Sequence, residues 1–148
     1  ATKKWQTTFR QKGTLYGTFD GAKMSFIAYP FFIPSAERLN FGEVKMLPPQ
    51  DIAAMKIIAI SQRGRKRDFL DLYWYCLHRD PLARVIQNAI HQFPGQEHNL
   101  NHILRSLTYF DDAEEDPMPK LLFKATWSDV KKFFRKEVPK VAREVLGL

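Results

Sequence analysis

The stretch Asp51–Leu77, DIAAMKIIAISQRGRKRDFLDLYWYCL, turns the chain from strand-like to helical and decides the fold. Pro49 suits the first turn of a helix, and Asp51 brings a carboxylate to the positive end of its dipole. From Ile52 to Ile60 every residue is apolar except Lys56. This helix, expected from Pro49 to about Gln62, is therefore buried on nearly all sides and carries one cation inward. A basic loop containing Gly64 follows, and a second helix is expected from about Arg67 to Leu77. Asp68 and Asp71 are three residues apart and share a face of it. A short loop between helices favours an antiparallel hairpin. Lys56 then lies about 9 Å of helix before the turn and Asp71 about 6 Å after it, at about 1.5 Å per residue, so the two can meet.

Toward the amino terminus the pattern is that of strands. Asp20-Gly21 between Thr14–Phe19 and Ala22–Tyr29 is a strong signal for a two-residue hairpin. Pro30, Pro34, Pro48 and Pro49 punctuate an extended connection, in which Glu43–Leu47 has the character of one more short strand. Toward the carboxyl terminus, Asp80 and Pro81 open a helix whose apolar residues Leu82, Val85, Ile86, Ala89, Ile90 and Phe93 recur at helical spacing until Pro94-Gly95. Leu100, Ile103, Leu104 and Leu107 repeat that pattern. The run Asp111, Asp112, Glu114, Glu115, Asp116, closed by Pro117 and Pro119, reads as a solvated loop without a metal site. Thr126 and Asp129 have capping-box spacing for a last helix, with Val130, Phe133, Phe134, Val138, Val141, Ala142 and Val145 on one face and Pro139 as a point of kinking. Lys131, Lys132, Arg135, Lys136, Lys140 and Arg143 are its charged outer face. The expected fold is α+β: a small antiparallel sheet followed by a bundle of about five helices. It is read as one domain over 1–148, with a strand-rich end at 1–48 and a helical portion at 49–148.

Composition narrows the function. Twelve Phe, five Tyr and three Trp in 148 residues supply a real core, and no apolar run approaches the roughly 20 residues of a membrane span. Cys76 is the single cysteine, which excludes a disulfide framework and a cysteine zinc site and suits a reducing cytoplasm. A formal net charge of +7 favours an anionic partner such as a nucleotide or nucleic acid. Ala1 in place of Met, with no signal-peptide pattern behind it, points to a natural start farther upstream.

Lys56 and Asp71 facing one solvent-reachable cleft would place an ammonium for phosphates beside a carboxylate that orients or deprotonates an acceptor hydroxyl. A structural ion pair between packed helices is the plainer alternative, and periodicity does not separate the two. His98 and His102 have the i, i+4 spacing of a metal pair but no accompanying carboxylate or cysteine, so they read as ordinary helix histidines, as do the isolated His78 and His91. Tyr73, Trp74 and Tyr75 read as core.

The run Asp51-Ile52-Ala53-Ala54-Met55-Lys56, then Ala59-Ile60, Arg63-Gly64, Arg67-Asp68-Phe69 and Asp71-Leu72-Tyr73, resembles the signature of the AbiEii/AbiGii toxin family within the DNA polymerase β-like nucleotidyltransferases. The likeness covers Phe19 to Leu77, since the hairpin ending in Ser25-Phe26-Ile27 and Tyr29-Pro30 also fits. It implies the toxin of a bacterial toxin–antitoxin pair used in phage defence. It also implies transfer of a nucleoside monophosphate from a nucleoside triphosphate to an acceptor, which in relatives can be transfer RNA. Lys56 is then the triphosphate-contacting lysine and Asp71 the aspartate of the following motif, preferred over Asp68 because it is deeper in the helix and level with Lys56. Asp68 reads as an amino-terminal cap or a partner of Arg65 or Arg67. Arg63 is the favoured phosphate or substrate contact, Arg67 and Asp68 are further substrate-binding candidates, and Arg65 and Lys66 fit a solvated basic loop.

The family's earlier motifs, a Gly-Ser turn and an Asp-x-Asp pair for two divalent ions, do not occur before Asp51. Asp20 stands alone in its turn. The resemblance therefore implies Mg2+ and nucleoside triphosphate for the complete enzyme and neither for this chain alone, which is expected to be inactive by itself. A cognate antitoxin is the implied protein partner. The reading from a different class is a noncatalytic basic helical module that binds nucleic acid or protein.

Overall fold

The computed structural model describes residues 4–94 and 99–146. The chain divides into two compact units, 1–32 and 33–148, so the strand-rich part of the sequence is shared between them. In the first unit, β1 (Trp5–Gln11), β2 (Thr14–Phe19) and β3 (Ala22–Ile27) form an antiparallel sheet in the order β1-β2-β3. The expected hairpin is present. Phe19 pairs with Ala22 across Asp20 (φ 52°) and Gly21 (φ 81°), the two left-handed residues that a tight primed turn demands. β3 ends at Ile27 rather than Tyr29, and β1 is a third strand that sequence patterning did not show. Gly17 of β2 is fixed by packing, because a Cβ there would lie 2.1 Å from the Trp5 ring and 2.5 Å from the Gln6 carbonyl.

In the second unit, β4 (Leu39–Phe41) and β5 (Val44–Met46) make a separate two-stranded ribbon around Gly42, so the short strand expected at 43–47 pairs locally. The helices follow: α1 (Pro49–Arg63), α2 (Lys66–His78), α3 (Leu82–Gln92), α4 (Leu100–Ser106), the single turn α5 (Asp111–Glu114) and α6 (Trp127–Leu146). α1 is the central element, packed against α2, α3 and α4, while α6 covers α2 and α3. The inward residues of α1, namely Ala53, Ala54, Ile57, Ile58 and Ile60, are sealed. α1 ends at Gly64, whose left-handed φ of 49° closes the helix through an N–H donated to the Ile60 carbonyl and lets the chain reverse into α2. Phe69 of α2 is fully buried against the rings of Phe110, Trp127 and Phe134, which joins α2 to the α5 turn and to α6.

Two local expectations change. The acidic run at 111–116 opens with a helical turn in place of the expected loop, while its carboxylates other than the half-buried Asp116 are solvent-exposed as expected. Phe110 and Ala113 anchor it in the core, Glu114 accepts from Trp127 Nε1 (3.0 Å) and Lys131 (2.6 Å), and Asp116 pairs with Arg65 (2.8 Å). Asp80 does not cap α3: Pro81 holds that position, and Asp80 accepts from the Tyr75 hydroxyl instead. Burial first, and this hydrogen bond second, push the Tyr75 pKa up. The capping box of α6 is present, with Thr126 N–H donating to Asp129 (2.9 Å) and Asp129 N–H to Thr126 Oγ1 (3.2 Å). His98 lies outside the described residues, as does the side chain of Val145. Among the described residues no helix is long and apolar enough to cross a membrane.

Phe69→Ala is expected to cost about 3–5 kcal/mol of unfolding free energy, read from urea denaturation, since it opens a cavity where three aromatic rings converge.

Candidate functional site

The α1–α2 hairpin brings Lys56 against both aspartates. Lys56 Nζ lies 2.8 Å from Asp68 Oδ1 and 2.6 Å from Asp71 Oδ2. The facing of Lys56 and Asp71 follows from their similar spacing around the turn. The place of Asp68 differs from the sequence reading. It is not an amino-terminal cap, and it pairs with neither Arg65 nor Arg67. Its side chain is 3% exposed, one oxygen takes Lys56, and the other faces Arg63 Nε at 4.0 Å with no hydrogen-bond partner. Asp71, at 57%, is open to solvent. Burial disfavours the Lys56 ammonium, but the hydrogen bonds to Asp68 and Asp71 outweigh it and hold its pKa above the ordinary 10.5. Lys56 stays a cation throughout the physiological range.

Lys56 and Asp71 share a cleft of about 560 Å3, walled by Pro49, Ile52 and Ala53 of α1, Trp74 and Tyr75 of α2, and the segment 120–123. This wall is mostly apolar. Ile52 and Leu122 are exposed, and Trp74, which sequence patterning assigns to the core, lies half-buried and stacked on His78 at 4.7 Å between ring centres. Tyr75 is buried, and Tyr73 packs edge-on against Phe133.

Arg63, the favoured phosphate contact, does not line this cleft. It lines another, of about 520 Å3, with Ser61, Gly64, His102, Arg105 and Tyr109, so Asp68 is the buried carboxylate between the two. Arg67 is exposed and has no carboxylate partner among the described residues. Lys66 is not part of a solvated loop. It is 7% exposed, its backbone N–H donates to Asp116 Oδ2 (3.0 Å), and its ammonium donates to the carbonyls of Glu114 and Asp116. That ammonium also lies 5.4 Å from the centre of the Trp127 ring. The clasp fixes where α2 begins and thereby where Asp68 and Asp71 stand.

Asp51 has a larger part than its favourable place at the helix dipole. It is fully buried and accepts from Ser35 N–H and Oγ–H and from Gln92 Nε2 (2.5 Å), while Ile33 N–H donates to the Gln92 carbonyl (2.8 Å). The opening residue of the motif thus pins the start of α1 to the incoming chain and to the end of α3. Ser35 and Gln92 carry no local signal of this role, because their partners lie 16 and 41 residues away.

Asp68 and Asp71 do not suit a divalent cation in this arrangement, since the Lys56 ammonium stands between them and would repel a second cation there. Among the described residues, no group of three or more His, Cys, Asp or Glu is placed to hold a metal ion. The site as built holds one fixed cation and one exposed carboxylate at the floor of an apolar cleft. It can bind an anionic group at Lys56 and accept a hydrogen bond at Asp71.

The two aspartates differ in what they hold up. Asp68→Asn is expected to cost about 3 kcal/mol or more in urea denaturation, because it unpairs a buried ion. Asp71→Asn, on an exposed partner, is expected to cost about 1 kcal/mol or less.

Comparison with known proteins agrees with the hairpin's signature. Residues 22–145 match the family model described as nucleotidyl transferase AbiEii toxin, Type IV TA system. An uncharacterised protein of Aquifex aeolicus is 30% identical over 136 residues, covering 88% of this chain and 62% of that protein. The chain therefore spans less than two thirds of that relative's length. No solved structure matches. The family match takes in strand β3, the whole α1–α2 hairpin with Lys56, Asp68 and Asp71, and most of α6, and the chain belongs to the AbiEii nucleotidyl transferase toxin family.

Proposed function

We propose that this chain carries the triphosphate-handling and acceptor-handling part of a toxin that transfers a nucleoside monophosphate from a nucleoside triphosphate to an acceptor. The observation that carries the reading is the Lys56 ammonium held between Asp68 and Asp71 at the floor of a cleft. Phosphoryl-type transfer is mostly positioning and charge stabilisation, so a permanently charged, immobilised ammonium is the group such a site needs for phosphate oxygens. Asp71 is exposed beside it and is placed to orient an acceptor hydroxyl or take its proton. Asp68 is buried and holds Lys56 in position. The apolar cleft walls, with Trp74 half-buried among them, provide a surface for a nucleobase.

Magnesium, which supplies charge neutralisation in this class of transfer, belongs on carboxylates outside this hairpin. We accordingly read residues 1–148 as unable to transfer nucleotide by themselves. In the complete protein the acceptor is a nucleic acid, with transfer RNA as the first candidate, a reading that suits the net charge of +7. A cognate antitoxin would be the protein counterpart, and phage defence in a bacterial cytoplasm the setting.

The test is transfer of labelled nucleoside monophosphate from each of the four triphosphates to total RNA, using the product of the complete reading frame. The unsubstituted protein should label RNA, and Lys56→Ala should abolish labelling while its circular dichroism stays that of a folded protein. Ordinary labelling by that variant refutes the assignment of Lys56. A reading frame that opens at Ala1, together with no labelling, favours the noncatalytic binding module instead.

A further inference from the structure

The cleft at the end of α1 carries chemistry that the Lys56–Asp71 site does not use. Arg63 contributes the last side chain of α1 and Arg105 the last turn of α4, and both line the cleft together with Ser61, His102, Ser106, Thr108 and Tyr109. Arg63 is 57% exposed, and its ion pairing among the described residues is a long one, to Asp68 at 4.0 Å, which leaves most of its five donors free. Arg105 has no carboxylate partner among the described residues. The small polar side chains are already committed. Ser61, Ser106 and Thr108 donate to the carbonyls of Ile58, Ile103 and Arg105, and His102 Nε2 donates to the Ser61 carbonyl at 2.8 Å. The two arginines are therefore the charged donors of the cleft, Gln62 adds an exposed amide beside them, and Tyr109, 51% exposed, is its open aromatic face. Asp112 is the carboxylate in the lining, with Asp111 near Tyr109 and Asp68 behind Arg63.

We infer that the Arg63–Arg105 cleft binds the backbone of a single-stranded nucleic acid, with the guanidiniums on phosphate and Tyr109 against a base. Planar guanidiniums grip phosphate oxygens in pairs, and an aromatic face beside them is the platform an unpaired base uses. An acidic protein segment would use the arginines and leave the ring idle. A duplex offers no free base face. Asp68 joins this cleft to the other, one oxygen on Lys56 and the other toward Arg63, so a strand held here lies beside the site that would modify it. Naming that strand as the acceptor rests on the proposed transfer reaction. Its binding does not.

The measurement is fluorescence anisotropy of a labelled 12-nucleotide single-stranded RNA with the chain, across a range of salt and without nucleoside triphosphate, so that it reads this cleft whatever becomes of the transferase reading. Arg105→Ala should weaken binding about tenfold and reduce the slope of log affinity against log salt by about 0.7. Tyr109→Ala should weaken it about fivefold or more with the salt slope unchanged. Lys45→Ala, on the exposed strand β5, should leave binding unaltered. Unchanged RNA affinity in Arg105→Ala overturns the inference. So does a polyglutamate peptide whose binding depends on Arg105 while RNA binding does not, which would assign the cleft to an acidic protein.

Discussion

A single ammonium held by two carboxylates across a helical turn sets the geometry on which the rest of this structure depends. Lys56 projects from a helix whose other faces are packed, and its charge is tolerable there because Asp68 and Asp71 arrive from the next helix at 2.8 and 2.6 Å. That contact requires a turn of one length, which Gly64 supplies in a left-handed conformation. It also requires a fixed start for α2, which Lys66 supplies by donating to carbonyls at the end of the α5 turn. Ion pairs of this kind contribute little net stability compared with apolar packing of the same volume. Of the three groups, Lys56 and Asp71 line the cleft, with Asp71 open to water, while Asp68 is buried behind them.

The surrounding architecture serves the same placement. Asp51 binds the beginning of α1 to Ser35 and Gln92, so the helix that carries Lys56 is anchored at its first turn by a fully buried hydrogen-bonded carboxylate. Phe69, one residue beyond Asp68, sits in an aromatic cluster with Phe110, Trp127 and Phe134. The chain thus alternates between residues that face the cleft or its partners and residues that lock the helix in the core. Cys76, on the same helix, is shielded by burial, which pushes its thiol pKa up to about 12 and keeps it unreactive at neutral pH.

Much of this is legible in the sequence where the signal is local. Asp20-Gly21 specifies its turn, the apolar run 52–60 specifies a buried helix, and Thr126 with Asp129 specifies a cap, because each depends on residues within a few positions of itself. The meeting of Lys56 with Asp71 is legible for the same reason, being fixed by spacing on either side of a short loop. What escapes depends on long-range partners. The acidic run at 111–116 reads as a loop until Arg65, Lys66 and Lys131 are brought to it, and Asp51 reads as a dipole effect until Ser35 and Gln92 enclose it. Asp68 reads as a surface cap because a position in the first turn of a helix gives no indication that the turn is buried. The separation of Arg63 from the Lys56 cleft is equally invisible, since it arises from the approach of α4.

Family membership and geometry converge on the hairpin as the part of the protein that handles charge. At its centre Lys56 is a permanently charged, immobilised group, held by Asp68 and Asp71 rather than left to neutralise on burial. Its stabilising contribution is then fully present below the ordinary value of 10.5 and is lost only as pH rises through the higher folded-state value. The direct measurement is an NMR titration of the lysine side-chain resonances of the chain, with Lys56 assigned by substitution. Lys56 should deprotonate above pH 10.5, and Asp71→Asn should bring its pKa down. A Lys56 that titrates below 10.5 would contradict this account, because burial would then have prevailed over the two carboxylates.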